Sequence, residues 1–555
     1  MSRIRLLKFV FWLGGLGIAC RLIYWQVFQA SSLKAQADQQ QLTWFDIPSP
    51  RGDILASDLF PLATSVENYL LYIDPQKLSS TDFLASLPSS DSAKARLQTA
   101  LDSSLSWYVL SHQVPQSVKE EIESRHISGL GFEPEPGRTY PEGTASAYLL
   151  GFVAQNQSGL PQGYFGLEGF YDRLLSGRPG RLLQEHDAFN RPIIFGKNFR
   201  ILPQSGHSIK TSIDRTVQHI IYQALSDGLA KYNARGGSIA VLEPFTGQVL
   251  GLVSIPGYDP AAFSKYSQSD YPNPLVADSY EPGSTFKAIV MAAALDSGVV
   301  TPQTICATCS GPVTIGDATV RSYNDKYYPG SDMFDVILHS DNVGMVFVSR
   351  KLGRSQLLDY IRRFGFGSPT GIDLQEESSP PLRPDDQWRE IDWATLGFGQ
   401  GIAITRLQLL RAVSVIANGG KLVSPRIGSG QLINGRIEPF SPTPPTRIIS
   451  AKSAALVTQM MVNGVNRGEV RYYKPPGFQI AGKTGTAQVP ISGHYDPTKV
   501  ISSFIGFAPA DNPKFVMLVT LDDPTPSQWG STTAAPIWFS IARQLFAYYG
   551  IPPTN

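Results

Sequence analysis

One stretch near the N-terminus constrains this chain more than any other. From Phe9 to Phe28 the residues are almost all uncharged, and Arg3, Arg5 and Lys8 stand just before them. Twenty helical residues at about 1.5 Å each span about 30 Å, the thickness of a bilayer's hydrocarbon core. A segment of this length and composition is expected to cross a membrane once, with its basic flank, residues 1–8, as a cytoplasmic tail. Everything after Phe28 is then expected on the extracytoplasmic, periplasmic side. Arg21 lies inside the run and has to snorkel to the outer interface or meet another membrane protein. Gly17-Ile18-Ala19 has the small-x-small pattern of a signal-peptide cleavage site. The apolar character resumes through Leu22, Ile23, Trp25 and Val27, which favours a retained anchor.

The remainder is long enough for more than one domain: the chain has 555 residues, 42% of them hydrophobic. Its net charge is +1 with no long basic run, so no global field attracts nucleic acid and no such partner is expected. Three cysteines exclude a disulfide-dense scaffold. Cys20 falls in the apolar run, which leaves Cys306 and Cys309 as one close pair in a Thr/Ser-rich segment. A zinc site needs four ligands and no second pair exists, so no metal is expected. Outside the cytoplasm such a pair is expected to form a local disulfide, with two free thiols as the alternative.

Residues 30–41 carry apolar side chains at helical spacing and read as a stalk, which the Pro-rich segment 48–53 is expected to break. Residues 66–135 alternate short apolar runs with Ser-rich turns and show no chemistry; residues 88–92 read as a surface loop. After Gly206 the texture changes. A strand is expected over 209–213, then a helix capped by Asp214 and running to about Ala230. Strands over 237–242 and 249–254 follow, joined by a turn at Phe245-Thr246-Gly247-Gln248. The chain closes with a hairpin, 504–507 with 515–521, and a helix from about Ala535 to Tyr549. The expected plan is multidomain, α/β plus α+β. It comprises the membrane helix at 9–28, an elongated module at 29–205, a larger module at 206–550 and a tail at 551–555.

Three short motifs carry chemistry. Ser284 sits in Glu281-Pro282-Gly283-Ser284-Thr285-Phe286-Lys287, followed by an apolar helix-forming run. Lys287 is therefore one turn after Ser284 on the same face. A serine hydroxyl is a weak nucleophile and needs an adjacent base. A lysine amine serves if burial and the helix N-terminal dipole depress its pKa. The same spacing recurs at Ser31 and Lys34, where it means nothing, so the motif alone is weak. Ser340-Asp341-Asn342 offers a hydroxyl to relay a proton to a leaving group and an amide to hold substrate. Lys483-Thr484-Gly485-Thr486-Ala487 follows Gly477–Ala481, expected as an apolar strand. A substrate peptide can pair with such a strand. Lys483 can then attract a carboxylate, and the backbone N–H groups of Ser284 and Thr486 can form an oxyanion hole.

Ser-x-x-Lys, Ser-Asp-Asn and Lys-Thr-Gly in this order are the signature of penicillin-recognising serine enzymes. The chain resembles the class B penicillin-binding proteins over nearly all its length. Arg51-Gly52-Asp53-Ile54-Leu55 with Pro61-Leu62-Ala63, Arg138-Thr139-Tyr140-Pro141 and Gly166-Leu167-Glu168-Gly169 are similar to motifs of that family's N-terminal module. Gly397-Phe398-Gly399-Gln400, Ala417-Asn418-Gly419-Gly420 and Ala534-Ala535-Pro536 are similar to motifs of its catalytic module. Two departures stand out. Ala56-Ser57-Asp58-Leu59 replaces the family's Asp-Arg-Asn-Gly, and Arg406 replaces a proline. The resemblance implies a pedestal (dimerisation-like) domain and a transpeptidase domain of serine β-lactamase-like fold, an antiparallel sheet flanked by helices. It implies a serine acyl-enzyme D,D-transpeptidase acting on D-Ala-D-Ala stem peptides of peptidoglycan and acylated by β-lactam antibiotics. Ser284, Lys287, Ser340, Asn342 and Lys483 would be catalytic, Thr484, Gly485 and Thr486 substrate-binding, with no cofactor. It further implies a polytopic lipid-II glycosyltransferase and other wall-synthesis proteins as partners.

Glu281 before Pro-Gly-Ser resembles the division type, where the elongation type has Pro-Pro-Gly-Ser. A β-lactamase or membrane β-lactam sensor shares the three motifs, and the module before the catalytic one argues against both. Glu376 and Glu377 stand where a β-lactamase deacylation base would lie, but their Ser/Pro-rich setting reads as a solvated loop. A silent scaffold of the wall-synthesis complex is disfavoured by the intact motifs.

Overall fold

The structure, a computed structural model, describes residues 3–47, 49–87, 90–102, 107–157, 159–186, 193, 196, 198–491, 494–525 and 527–553. Pro48, Pro88 and the end of the expected tail lie outside the described residues. Contacts divide the chain into two units, residues 1–51 with 176–206, and residues 52–175 with 207–555.

In the first unit the helix Arg3–Ile23 runs into a wider turn at Tyr24–Phe28, and no residue of either is buried. The 26 residues Arg3–Phe28 are long and apolar enough to cross a membrane. The stalk helix Ala30–Gln41 follows. It ends at Gln41, before the Pro-rich segment expected to break it. Leu42–Ile47 is a strand, paired antiparallel with Gly180–Glu185, which in turn pairs with Asn198–Ile201. Leu-Thr-Trp-Phe is β-prone, but the partner that turns this propensity into a strand lies far along the chain.

In the second unit, Pro61–Ile73 pairs with both Tyr108–Pro115 and Leu130–Thr139. Through Ile54–Leu55 and Ser208–Thr211 the same sheet reaches Gly428–Ile433 and Arg436–Pro439. Leu59 holds the turn between Ile54–Leu55 and Pro61 at φ 69°, the conformation that glycine adopts freely. The turn still closes, with Ala56 N–H donating to Phe60 O at 2.8 Å and Phe60 N–H to Asp58 Oδ1 at 3.1 Å. Residues 90–92, expected in a surface loop, begin the helix Ser90–Leu101 instead, whose Ala93 and Leu97, four apart, are buried in a small core with Phe83.

A five-stranded antiparallel sheet forms the centre, in the order Val249–Ile255, Gly236–Leu242, Phe515–Asp522, His494–Ala508, Ala481–Ile491. Both faces are covered, because alternate side chains point to opposite sides. Ile239, Val241, Phe504, Met517 and Val519 pack against Val217, Ile221 and Leu225 of the helix Arg215–Tyr232 and Trp538 and Leu545 of Ala534–Tyr548. Ala240, Leu242, Ile505 and Leu518 belong to the other core, with the helices Lys287–Asp296 and Arg406–Ala417. Asp214 caps its helix as expected, accepting from Thr216 N and Val217 N. Lys287–Leu295 are all buried, so that helix runs through the core. Cys306 and Cys309 are disulfide-bonded.

The segment Leu374–Pro381 is not the solvated loop its composition suggests. Gln375 Oε1 accepts from Phe165 N at 2.6 Å and Glu376 Oε2 from Gly166 N at 2.8 Å. Glu377 accepts from Thr370 N, Thr370 Oγ1 and Gly371 N. Beside it, Asp373 accepts from Tyr171 OH, Ile427 N and Gly428 N. Ser and Pro dominate the composition, but it is the carboxylates that satisfy backbone N–H groups left over by turns.

Candidate active site

Ser284 stands in one turn of 3-10 helix, Gly283–Phe286, that leads into the helix Lys287–Asp296. Two glycines make the turn possible. Gly283 has φ 57°, and its N–H donates to Gly399 O at 3.2 Å. A Cβ on Gly399 would lie 2.3 Å from Gly283 O, so Gly397-Phe398-Gly399-Gln400 serves as the backing of the Ser284 turn.

Ser340-Asp341-Asn342 forms the link between the helices Met333–Leu338 and Asn342–Arg363. Asp341 caps the second helix, accepting from Val343 N at 2.9 Å and from the Ser322 hydroxyl. Ser340 is left at φ 52°, an unfavourable conformation for a residue with a Cβ. It turns both its carbonyl and its hydroxyl toward Lys287: Lys287 Nζ donates to Ser340 O at 2.5 Å and lies 3.2 Å from Ser340 Oγ. A third contact, to Asn342 Oδ1, is 2.7 Å.

Lys483-Thr484-Gly485-Thr486 lies within the strand Ala481–Ile491, at the edge of the central sheet. The preceding residues 477–480, expected as strand, are irregular, so the motif is itself the strand. Gly485 is required for packing on the covered face: a Cβ there would be 2.5 Å from Ser503 Oγ and 2.8 Å from Thr285 Cγ2. Lys483 Nζ donates to Ser340 Oγ at 2.8 Å and to Thr484 O at 3.2 Å. The three motifs thus converge on the Ser340 hydroxyl.

Both lysines are buried, Lys287 completely. Burial holds the Lys287 amine well below its usual pKa, and the positive charge of Lys483 lowers it further, against the opposing pull of Asp341. Burial also pushes Lys483 down, to about 8, with Glu469 opposing. A depressed amine beside a serine hydroxyl is the condition for general-base work.

A cleft of about 740 Å³ exposes Ser284, Ser340, Asn342 and the strand residues Lys483–Thr486 together. Its rim contains residues no motif pointed to. Tyr323 and Trp529 meet edge to face, ring centres 4.6 Å apart, and Glu469, Arg467 and Arg471 line it as well. A Cβ on Gly530 would lie 2.4 Å from both Gly485 O and Ser503 O, so the Trp529-Gly530 turn presses directly on the sheet. Nothing local in the sequence marks these residues.

Comparison with known proteins identifies two families along the chain. The family model described as penicillin binding protein transpeptidase domain matches residues 237–546, and that described as penicillin-binding protein dimerisation domain matches residues 46–211. The chain is 31% identical to stage V sporulation protein D of Bacillus subtilis, over 97% of this chain and 84% of that protein. It is 28% identical to the peptidoglycan D,D-transpeptidase FtsI homolog of Mesostigma viride, over 100% and 97%. Among solved structures, a peptidoglycan synthetase from Bifidobacterium adolescentis superposes with a TM-score of 0.74 at 26% identity, covering 93% of this chain and 98% of that one. Penicillin binding protein 3 of Mycobacterium tuberculosis, solved with aztreonam, gives 0.71 at 25%, covering 92% and 98%.

Proposed function

The chain belongs to the class B penicillin-binding proteins, the peptidoglycan D,D-transpeptidases, and we propose that Ser284 is the nucleophile on which its acyl-enzyme forms. The observation that carries this is the opening of Ser284 onto a cleft whose other wall holds two buried lysines on one serine hydroxyl.

Ser284 Oγ attacks the carbonyl between the two D-alanines of a donor stem peptide laid along the edge strand. Neutral Lys287 takes the hydroxyl proton. In that state its two N–H bonds serve Ser340 O and Asn342 Oδ1. The backbone N–H groups of Ser284 and Thr486 receive the oxyanion. Ser340, between the two amines, passes the proton to the departing D-alanine, whose carboxylate is held by Lys483 and Thr484, while Gly485 lets the strand lie close. An amine of a second stem peptide then resolves the ester. β-Lactams acylate the same serine.

Three further readings belong to this proposal. The catalytic unit lies outside the cytoplasmic membrane, a reading supported by Arg3, Arg5 and Lys8 before the apolar helix. The membrane helix and the pedestal meet a polytopic lipid-II glycosyltransferase. The work is done at the division septum, supported by Glu281 before Pro-Gly-Ser.

Labelling with a fluorescent penicillin tests the first claim: wild-type protein is labelled, the adduct maps to Ser284, and Ser284→Ala is dark. An adduct on another serine would sink it. Depletion in the native organism is expected to give filaments or unseparated cells; round cells that still divide would assign the protein to elongation.

A further inference from the structure

Ser284 borders two hollows. Besides the main cleft there is a second, of about 90 Å³, lined by Glu281, Ser284, Asn342, Gln400, Thr486 and Gln488 among others. It is far smaller than the main cleft of about 740 Å³ and has room for several waters or for an amine and its nearest carbons. Glu281 lies on its wall, half-buried. Its Oε1 accepts from Gly401 N at 3.0 Å and its Oε2 from Tyr495 OH at 2.9 Å. Both donors are uncharged, and among the described residues no cation pairs with it. Burial accordingly raises its pKa. A partly desolvated carboxylate without a counter-ion is costly to maintain. Here one stands beside a nucleophile, in a hollow whose other polar walls, Gln400, Gln488 and Asn342, are neutral.

We propose that this hollow is the subsite for the acceptor amine, and that Glu281 binds it as an ammonium group. The inference deepens the transpeptidase reading and rests on it. The donor occupies the main cleft and leaves its acyl group on Ser284, so the second substrate must reach the ester carbon from elsewhere. The small hollow touches the same serine and carries the charge that recognises a primary ammonium ion. Glu281 is a positioning residue for this step. The bound ammonium gives one proton to neutral Lys287, and its nitrogen forms the new C–N bond. The bond from the acyl carbon to Ser284 Oγ breaks, and that oxygen takes the second proton from nitrogen. Lys287 returns its proton to solvent, so this step releases one proton, which balances the one the departed D-alanine takes up on becoming an ammonium ion.

The test is partition of the acyl-enzyme. Full-length protein is given a soluble acyl-D-alanyl thioester as donor and glycinamide as acceptor, and the ratio of aminolysis to hydrolysis is measured against acceptor concentration. The ratio is internal to the acyl-enzyme and does not depend on how fast it formed. In Glu281→Gln it should fall about tenfold, the factor expected from losing one charge-assisted hydrogen bond. Glu281→Asp should recover part of it. Tyr495→Phe, at a partly exposed position, should give a smaller fall and keeps the question answerable if Glu281→Gln does not fold. An unchanged ratio would make Glu281 structural and overturn the proposal. A raised ratio would make it a base for water, with the same result. Failure of the wild-type protein to acylate at all would remove the transpeptidase reading first, and this inference with it.

Discussion

Lys287 and Lys483 reach the same oxygen: their Nζ atoms lie 3.2 Å and 2.8 Å from Ser340 Oγ. Two ammonium ions this close to one hydroxyl repel each other, and both are desolvated. Lys287, the more deeply held, is therefore the one that gives up its proton first, leaving Lys483 as the cation.

From this follows an alkaline limit on acylation. Lys483, with its pKa pushed down to about 8, must carry its charge to hold the donor carboxylate. The second-order rate of acylation by a carboxylate-bearing donor should decline as pH rises through about 8. In Lys483→Arg, whose charge persists, the rate should be lower throughout and flat across that range. A wild-type rate still constant to pH 10 would exclude Lys483 as the carboxylate-binding charge.

Penicillin should stay on the protein for many minutes. Glu376 and Glu377 are both engaged with backbone N–H groups away from the cleft, so neither is free to activate water. Loss of the base that either glutamate would supply slows hydrolysis by about 10²–10⁴-fold. Intact mass should keep the adduct; rapid return to the unmodified mass with release of hydrolysed drug would point to a β-lactamase instead.

Glu376 should make stability depend on pH in an unusual direction. Burial raises its carboxyl from 4.5 to about 7, so the folded state binds the proton more tightly than the unfolded one. Its contribution is full below about pH 4.5 and is lost as pH rises through about 7, by on the order of 3 kcal/mol. Glu376→Gln keeps the acceptor for Gly166 N and cannot ionise. The variant should gain stability relative to wild type between pH 5 and 8. Parallel melting profiles across that range would refute this.

Arg406 should be worth more than the proline it replaces. Its guanidinium is 3% exposed and bonds Asp522 Oδ1 at 2.7 Å, Thr520 Oγ1 at 3.1 Å and Pro274 O at 3.2 Å. As the first residue of the helix Arg406–Ala417 it occupies a position that proline tolerates. Arg406→Ala should cost about 3 kcal/mol in chemical denaturation, because it leaves Asp522 mostly buried and unpaired. Arg406→Pro should suffer the same loss despite suiting the helix start. A cost near zero would mean that solvent replaces the pair.

Much of this protein could be read without coordinates, and the parts that could share one property: they are local. An apolar run of fixed length gives the N-terminal helix that is long and apolar enough to cross a membrane. Helical spacing sets Lys287 one turn after Ser284, and Asp214 and Asp341 cap helices because each precedes one. Short continuous apolar runs give strands of the central sheet, which is covered on both faces. Other features needed partners far along the chain. Lys287 bonds the Ser340 turn, and among the described residues it has no hydrogen bond to the Ser284 beside it in sequence. Leu42–Ile47 is a strand because Gly180–Glu185 lies against it. Glu376 is sequestered by Gly166, and Glu281 becomes an unpaired charge only once Gly401 and Tyr495 are brought to it. Backbone sterics and side-chain periodicity act over a few residues, so sequence alone determines the elements and the motifs upon them. Burial, charge pairing and pKa depend on which distant groups share a low-dielectric space, and that is decided only when the sheet and helices close on one another.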